Sequence, residues 1–413
     1  MNYTDLKGIG YLRSKLARKK GRILPRYRYY EMKFHVRDFG ISTPPDLMYF
    51  NSMLGWCAKA VDALADRLIF REFRNDTFDM NGVFNRNNPD VLFDSAVLSA
   101  MITSCCFLYI SADESGFPRV QVVDGAHATG MIDPITNLLT EGYAVLETDD
   151  YDNPIVEAYF TSTETVIYEN GGESYSVPNP TGYPLLVPII YRPDAVRPFG
   201  HSRISRACMA ITDSALRTLK RSEIAAEFYS YPQKYVTGLS QDSEIADKWK
   251  ASMSAMITFT KDENGDNPSL GQFSQQSMAP HTEQLRMFAS IFAGETGLTL
   301  DDLGFPTENP SSAEAIKAAH ENMRLTAAKA QRTFGSGFLN AGFLAACLRD
   351  EYSYKRAVIY QTKPVWEPVF SPDASTLSII GDGAIKINQA VPGYFSATNL
   401  RDLTGIEGTG DGK

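Results

Sequence analysis

The side chains that could carry catalysis or hold a metal ion are scattered through this sequence. Its five histidines form no H-x-x-x-H or H-E-x-x-H pattern, the spacings that bring two imidazoles to one face of a helix. They are His35, His127, His201, His281 and His320. The five cysteines lack the short spacing of metal ligands, and an odd number does not suit a set of disulfides. We therefore expect buried thiols in a reducing cytoplasm, no metal and no cofactor.

Two segments come closest to an enzyme's motif, and both are incomplete. Residues 408–413 have the glycines and lysine of a phosphate-binding loop, but Glu407 stands where that loop needs its first glycine. Asp149, Asp150 and Asp152 form an acidic cluster that we predict to be a turn between two strands. The sequence thus predicts a protein without catalytic activity. An enzyme that gathers carboxylates from distant segments stays open as an alternative.

Positive charge is concentrated near the start of the sequence, although the chain carries a net charge of −9. The basic stretch contains no acid and consists of Arg13, Lys15, Arg18, Lys19, Lys20, Arg22, Arg26 and Arg28. The excess of acidic residues argues against a protein that binds DNA over its whole surface. We interpret the stretch as a solvated arm that packs on a neighbouring acidic surface. Contact with nucleic acid, which the interleaved Tyr27, Tyr29 and Tyr30 would suit, is the alternative.

The first half of the chain has the pattern of an α+β unit. Apolar residues recur at helical spacing over 47–70, and 90–102 indicates a second helix. Short runs typical of strands follow at 106–111, 119–123, 142–148, 155–160, 165–169 and 185–191. The most apolar uncharged run, 95–112, is broken by hydroxyl side chains and followed at once by acids. We therefore predict a buried helix and strand there and no membrane span.

Two helices that bracket a small insertion dominate the second half. We predict the first over 202–229, with an apolar face made of Ile204, Cys208, Ile211, Ala215, Leu219 and Ala226. Its basic face should consist of Arg203, Arg206, Arg217, Lys220 and Arg221, with Asp213 among them. The second helix begins near Pro280. Between them, strands are predicted at 234–237 and 257–260 and a helix at 242–256.

A breaker-rich loop at 301–310 leads into a long helix. Ser311 and Glu314 form a capping box, which predicts a helix that extends to about residue 350. Three glycines should weaken or bend it: Gly335, Gly337 and Gly342. An extended segment at 358–370, short helices at 375–390 and 396–403 and a glycine-rich, disordered end complete the prediction.

Several stretches of this second half resemble the portal proteins of tailed bacteriophages. Phe199-Gly-His-Ser-Arg-Ile is similar to the start of that family's first stem helix, and Ala225-Ala-Glu-Phe with Tyr231-Pro-Gln-Lys-Tyr is similar to its end. Gly297-Leu-Thr-Leu-Asp-Asp-Leu-Gly and Asn309-Pro-Ser-Ser-Ala-Glu-Ala-Ile are similar to the tunnel-loop region and the start of the long wing helix. Together with the order of the predicted elements, from the α+β unit to the short terminal helices, the resemblance covers nearly the whole chain.

The resemblance implies an α+β portal fold. It divides the chain into a basic N-terminal arm 1–30, an α+β wing 31–198, a stem helix 199–230, a clip 231–278, a second stem helix 279–299, a tunnel loop 300–311, a long wing helix with a returning strand 312–373, a small helical crown 374–405 and a disordered tail 406–413. Its tunnel loop would contain Asp301, Asp302, Leu303, Phe305, Thr307, Glu308 and Asn309.

The resemblance also implies a function and partners. Copies of the chain, usually twelve, would form a ring at one capsid vertex through which double-stranded DNA is packaged and ejected. Terminase large subunit and a head-tail adaptor protein would dock on the clip, where Tyr235 and Trp249 are candidate anchors or, equally, the clip's own core. Major capsid and scaffolding proteins would be further partners, and no membrane is involved. Another phage ring or adaptor protein is the alternative.

Overall fold

A computed structural model describes residues 7–36, 52–169, 172–230, 234–237, 269–272, 277–306, 318–370 and 372–406. The α-helices within these residues are α1 Ile9–Tyr30, α2 Trp56–Ala65, α3 Met80–Asn85, α4 Pro89–Thr103, α5 Arg206–Ser230, α6 Ala279–Thr296, α7 Glu321–Arg349, α8 Ala374–Ala390 and α9 Ala397–Thr404. The strands are β1 Phe70–Arg74, β2 Cys105–Ala112, β3 Pro118–Val123, β4 Ala128–Ile132, β5 Leu139–Thr148, β6 Pro154–Phe160, β7 Glu164–Glu169, β8 Ser174–Pro178, β9 Leu186–Ile190, β10 Lys234–Thr237, β11 Ser269–Gln272 and β12 Lys363–Trp366. The chain mixes helices and strands, as predicted.

One hydrophobic core joins the two halves of the chain. At its centre is a three-stranded antiparallel sheet in the order β3-β2-β9, against which α4 and α7 pack. Phe107 of β2 and Phe338 of α7 are both fully buried in this core. Every position of β9 is buried, so its sequence is a continuous apolar run without the polar alternation of a half-exposed strand.

A second sheet has five antiparallel strands in the order β4-β5-β6-β7-β8. Consecutive strands are neighbours here, so short turns are enough to connect them. The turn between β5 and β6 holds the acidic cluster, and the Asp149 carboxylate accepts the backbone N–H groups of Tyr151 at 2.9 Å and Asn153 at 2.8 Å. The prediction that this cluster is a turn is confirmed.

Four strands have no counterpart among the predictions, β1, β4, β8 and β11, and the first predicted helix is too long. β1 is rich in charged residues and pairs with β12, which is distant in the chain, so no local pattern marks it. All residues of β8 are exposed. Helix α2 ends at Ala65, and Leu68, which continues the helical spacing, is buried in the turn beyond it. Residues 47–51 of the predicted helix lie outside the described residues.

Helix α7 runs without interruption through its three glycines, which serve close packing. A Cβ atom at Gly335 would lie 2.7 Å from the Pro364 ring, and one at Gly337 would lie 2.7 Å from Ile189 Cδ1. At Gly342 the nearest atom would be Met80 Sδ, also at 2.7 Å. The glycines thus let β9, β12 and α3 approach the helix, which continues through them to Arg349.

Replacing Gly335 with alanine should lower the free energy of unfolding by about 1–2 kcal/mol. The added methyl gains helix propensity but meets the rigid Pro364 ring, and overpacking a core outweighs that gain. Gly294→Ala on the exposed side of α6 is the matched control, because no atom lies within 4 Å of its Cβ position. This control should add about 0.5–1 kcal/mol. Urea unfolding of both variants tests the expectation. Equal changes in the free energy of unfolding, relative to the wild type, would contradict it.

Charged pairs hold the C-terminal helix α9 against β1. The Arg74 guanidinium donates to both Asp402 oxygens, at 2.7 and 2.5 Å, and Arg401 donates to Glu72 at 2.5 Å.

Helix α8 is only slightly buried, and Ile379 and Ile385 are 70% and 59% exposed. No helix among the described residues has the length and apolar content needed to cross a lipid bilayer.

Candidate functional site

Helices α5 and α6, the two predicted stem helices, pack along each other in opposite directions. Arg203, just before α5, donates to the Thr296 carbonyl at the end of α6. Further along α5, the Thr218 hydroxyl donates to the Gln284 side-chain oxygen at 3.0 Å. These two contacts show that the start of α5 lies beside the end of α6. The strands β10 and β11 connect the far ends as an antiparallel pair.

Arg203 does not belong to the basic face that the sequence predicted. It precedes α5 and is only 6% exposed. Its Nε donates to the Ala60 carbonyl of α2 at 3.1 Å, and a second guanidinium nitrogen donates to Thr296. Helical periodicity predicts a face only within a helix, and α5 begins at Arg206. The guanidinium therefore ties α2 to the base of the helix pair and cannot reach DNA or a neighbouring subunit.

The other members of the predicted basic face lie on one side of α5. Arg206 is exposed at the first turn, while Arg217, Lys220 and Arg221 are partly exposed. Asp213 on the same side accepts a hydrogen bond from the Tyr29 hydroxyl of α1 at 2.6 Å.

The apolar face predicted for α5 is only partly buried. Cys208 and Ala215 are buried, Ile211 and Leu219 are half-buried, and Ala226 is exposed. The prediction holds for the first half of the helix and is wrong at Ala226. The reason is that the far end of α5 extends beyond the core that covers its start.

The predicted tunnel loop begins as a short 3-10 turn, Asp301–Leu303. The Asp302 carboxylate accepts the backbone N–H and the hydroxyl of Thr299, each at 2.9 Å. Leu303 is 8% exposed, Phe305 is half-buried against the same core, and Asp301 is exposed. The start of the loop is thus anchored by Asp302 and Leu303, and the side chain of Asp301 is exposed. Thr307, Glu308 and Asn309 lie outside the described residues.

The predicted basic arm is helix α1, which does pack on acidic groups, but its apolar side is buried rather than solvated. Leu12, Leu16 and Ile23 are buried on one side of the helix. Its cations make contacts within the chain: Arg13 pairs with Glu157, and Lys20 pairs with Asp152 at 2.6 Å. Apolar residues at helical spacing between the cations were the signal that the sequence analysis passed over. Arg18 and Arg22 are exposed.

Two lysines of α1 close the open edge of the five-stranded sheet. Lys15 Nζ donates to the Gly130 carbonyl at 2.6 Å, and Lys19 Nζ donates to the Ala128 carbonyl at 3.3 Å. These alternate carbonyls of β4 point away from its partner β5, so without the lysines they would be an unpaired strand edge. The Lys19 ammonium also lies 4.9 Å from the centre of the Phe107 ring.

Comparison with known proteins identifies the family that builds this arrangement. The family sequence model described as "Phage portal protein, SPP1 Gp6-like" matches residues 9–373, from α1 to beyond β12. The chain belongs to this family of phage portal proteins. The resemblance seen in its local sequences is therefore confirmed, and the family is a structural one of the phage virion.

Individual relatives are similar over most of the chain. The portal protein of Mycobacterium phage L5 is 24% identical over 381 residues, which cover 87% of this chain and 77% of that protein. The portal protein of Mycobacterium phage D29 is 23% identical with the same coverage. Among solved structures, the neck of a native gene transfer agent particle has a TM-score of 0.46 at 14% identity, covering 86% of this chain and 90% of that one.

The clip predicted for this portal protein is described only at its base. Tyr235 lies in β10, opposite Gly271 of β11. The partner of β10 is thus β11, whereas the second strand predicted for this segment is at 257–260. That segment, the predicted helix at 242–256 and Trp249 lie outside the described residues.

Ionisable groups of this portal protein serve structural contacts in the part of the chain that the structure describes. No three His, Cys, Asp or Glu side chains there are grouped so that they could hold a metal ion. His127 and Lys20 both contact Asp152, and His201 contacts Asp194 at 2.6 Å. Burial raises the pKa of the Cys57 thiol to about 12, so it stays protonated.

Raising the pH should strengthen folding through Lys15. Burial, aided by the charge of Lys19, lowers the pKa of Lys15 to about 8. Between that value and the ordinary 10.5, the unfolded chain keeps a proton that the folded chain has lost, so the free energy of unfolding rises with pH. From about pH 7.5 to 10, the wild type should gain about 1–2 kcal/mol over Lys15→Met in urea unfolding. If the free energies of unfolding of the wild type and of Lys15→Met change with pH in parallel, Lys15 is not the source of the pH dependence.

Proposed function

We propose that this chain is the subunit of a closed ring at one vertex of the capsid, through which double-stranded DNA enters and leaves. Twelve copies is the number that the family resemblance implies. The observation that carries the proposal is the match to the portal protein family over residues 9–373. The proposed ring has no catalytic role, so the ATPase that drives packaging is a separate polypeptide.

The antiparallel pair α5 and α6 supports a stem that neighbouring copies can line. A closed ring of identical subunits needs two different, complementary faces on each copy. One side of α5 packs on α6 and the core, and the other carries Arg206, Arg217, Lys220 and Arg221. In this proposal that charged side meets acidic groups of the next subunit, with DNA as the alternative contact. The buried Arg203 holds the base of the stem to the wing.

The loop that begins at Asp301 supports a narrow passage that does not bind DNA tightly. Each fixed cation that pairs with a phosphate adds affinity and therefore resists sliding. The loop 301–310 contains acids and no basic residue. With Leu303 buried and Asp302 bonded to Thr299, its base is fixed while Asp301 faces outward. We propose that its carboxylates keep the duplex centred.

The segment between the stem helices is the proposed docking platform. Terminase large subunit and then the head-tail adaptor would bind around the clip, and Tyr235 and Trp249 are the proposed anchors. The wing, with its two sheets, would face the shell, where major capsid and scaffolding proteins meet the ring. The position of β10 and β11 at the far end of the α5 and α6 pair supports this orientation.

Negative-stain electron microscopy of the purified full-length chain tests the proposal. We expect rings with a central hole wide enough for a duplex and a mass near 12 times 45.8 kDa, which is about 550 kDa. Light scattering of the same sample gives the mass independently. Compact monomers with a cleft would favour an enzyme. If no rings form, either in concentrated solution or in particles, the proposal is wrong.

A further inference from the structure

Four arginines from three segments gather at the C-terminal end of α4. Arg22 and Arg26 come from α1, Arg197 comes from the loop after β9, and Arg206 begins α5. Arg26 Nη1 donates to the carbonyl oxygen of Thr103, the last residue of α4, at 3.2 Å. Burial, and then the charges of the other three arginines, lower the pKa of Arg26. We call these four residues the arginine cluster.

Hydrogen bonds hold the segment between two of the cluster's members against α4. The Arg203 N–H donates to the Met101 carbonyl at 2.8 Å, and the Ser202 hydroxyl donates to the Ile102 carbonyl at 2.6 Å. The segment that links Arg197 to Arg206 is therefore held to the same helix end that receives Arg26. Three guanidinium groups, those of Arg22, Arg197 and Arg206, are exposed above the half-buried Arg26. The chain segments that carry the arginine cluster are thus held together without a ligand.

No carboxylate among the described residues lies within ion-pair distance of the arginine cluster. Asp194, in the same loop as Arg197, is already committed to other donors. One of its oxygens accepts the N–H groups of Val196 and Arg197 at 2.8 and 2.6 Å, and the other contacts His201 at 2.6 Å. Asp194 therefore lies near Arg197, whose guanidinium contacts the other ring nitrogen of His201 at 3.4 Å. Gathering four like charges with so little counter-charge costs free energy, which an anionic partner would recover.

We propose that the arginine cluster binds carboxylates of the neighbouring copy of this chain. The inference rests on the ring proposed above and names one of its interfaces. Eight of the 40 basic residues and none of the 49 acidic ones lie in α1, so the rest of the chain has an excess of 17 acids. A ring joins one face of each copy to a different face of the next, which lets this basic site meet that acidic remainder. Guanidinium groups also match carboxylates in bidentate geometry.

DNA is the less suitable partner for the same site. Four fixed guanidinium groups on a phosphate backbone would hold a duplex that must slide, and the chain's net charge of −9 opposes approach of a polyanion. The next subunit, in contrast, remains in place once the ring closes. The observations therefore favour an interface between copies.

Cross-linking in mixed-isotope rings tests the inference. Arg206→Lys places a primary amine in the arginine cluster, which a carbodiimide can couple directly to a carboxylate in contact with it. Rings assembled from ¹⁴N and ¹⁵N chains should give coupled peptides that join the introduced amine to an Asp or Glu of the other isotope. Couplings confined to one isotope, in rings that form normally, would overturn the inference and leave the proposed function standing.

Charge reversal gives an independent readout. The double variant Arg22→Glu with Arg197→Glu should raise the protein concentration at half-assembly at least about tenfold at physiological salt, with an unchanged circular dichroism spectrum. Arg18→Glu, exposed on the same helix outside the cluster, is the control and should change it less than about threefold. Unaltered assembly with weaker retention of a 30-base-pair duplex would instead assign the site to DNA and overturn the inference. Wild type that stays monomeric would overturn the proposed function as well.

Discussion

Gly200→Ala should destabilise the fold by about 4 kcal/mol, one of the largest effects expected from a single methyl group in this chain. Gly200 has φ +74°, a left-handed conformation that side chains disfavour. More important, a Cβ atom there would lie 2.0 Å from the Tyr191 carbonyl oxygen and 2.9 Å from Ile190 Cγ2. Backbone cannot move aside as a flexible side chain can. The turn that leads from β9 to α5 would have to open, and the contacts of α5 with the core would weaken.

Gly297→Ala separates the steric cost from the backbone cost. Gly297 has nearly the same φ, +72°, but the nearest atom to its Cβ position is 3.6 Å away. Alanine there should cost only about 1 kcal/mol, the penalty of the left-handed conformation. Chemical denaturation followed by circular dichroism, at matched protein concentrations because assembly adds stability, compares the two variants. Similar losses would refute the role given to the close approach at Gly200.

Arg203→Met should cost about 3 kcal/mol of unfolding free energy. Methionine keeps much of the apolar stem of the side chain but cannot donate to the carbonyls of Ala60 and Thr296. The Thr296 carbonyl is among the last four of α6, which have no partner within their helix, so the loss leaves a buried acceptor without this donor. A cation is also removed from the negative end of the α6 dipole.

Two further variants define what Arg203 contributes. Arg203→Lys keeps the charge but offers no planar fork to span two carbonyls, so it should recover only part of the loss. Arg332→Ala on the exposed side of α7 should change stability by less than about 0.5 kcal/mol. Replacing a buried charge with an apolar side chain is sometimes neutral or even stabilising. An Arg203→Met variant as stable as the wild type would therefore contradict the role of Arg203 in tying α2 to α6.

These two residues give a physical reason for the stretch Phe199-Gly-His-Ser-Arg-Ile. The glycine is needed for a close backbone approach, and the arginine is needed to tie the helix pair to α2. The sequence analysis singled out the stretch by resemblance alone. Local pattern could not supply the reason, because Tyr191, Ala60 and Thr296 come from three other segments of the chain.

Local sequence determined much of this protein. Periodicity located α4, α5, α6, α8 and α9 and most strands of the two sheets within a few residues. Turn-forming residues placed the acidic cluster between β5 and β6, and the order of the local motifs identified the portal family. These features depend on residues close in sequence, whose conformational preferences act over a few positions.

Only the tertiary structure decided how the charged and small residues are used. The basic stretch is a packed helix because Leu12, Leu16 and Ile23 are buried against the rest of the chain, and Lys15 and Lys19 bind carbonyls at the open edge of β4. Arg203 is internal, whereas Arg206, three positions on, is exposed and joins Arg22, Arg26 and Arg197. A cation's role depends on which carbonyls and charges surround it, and those come from distant segments that the fold alone brings together.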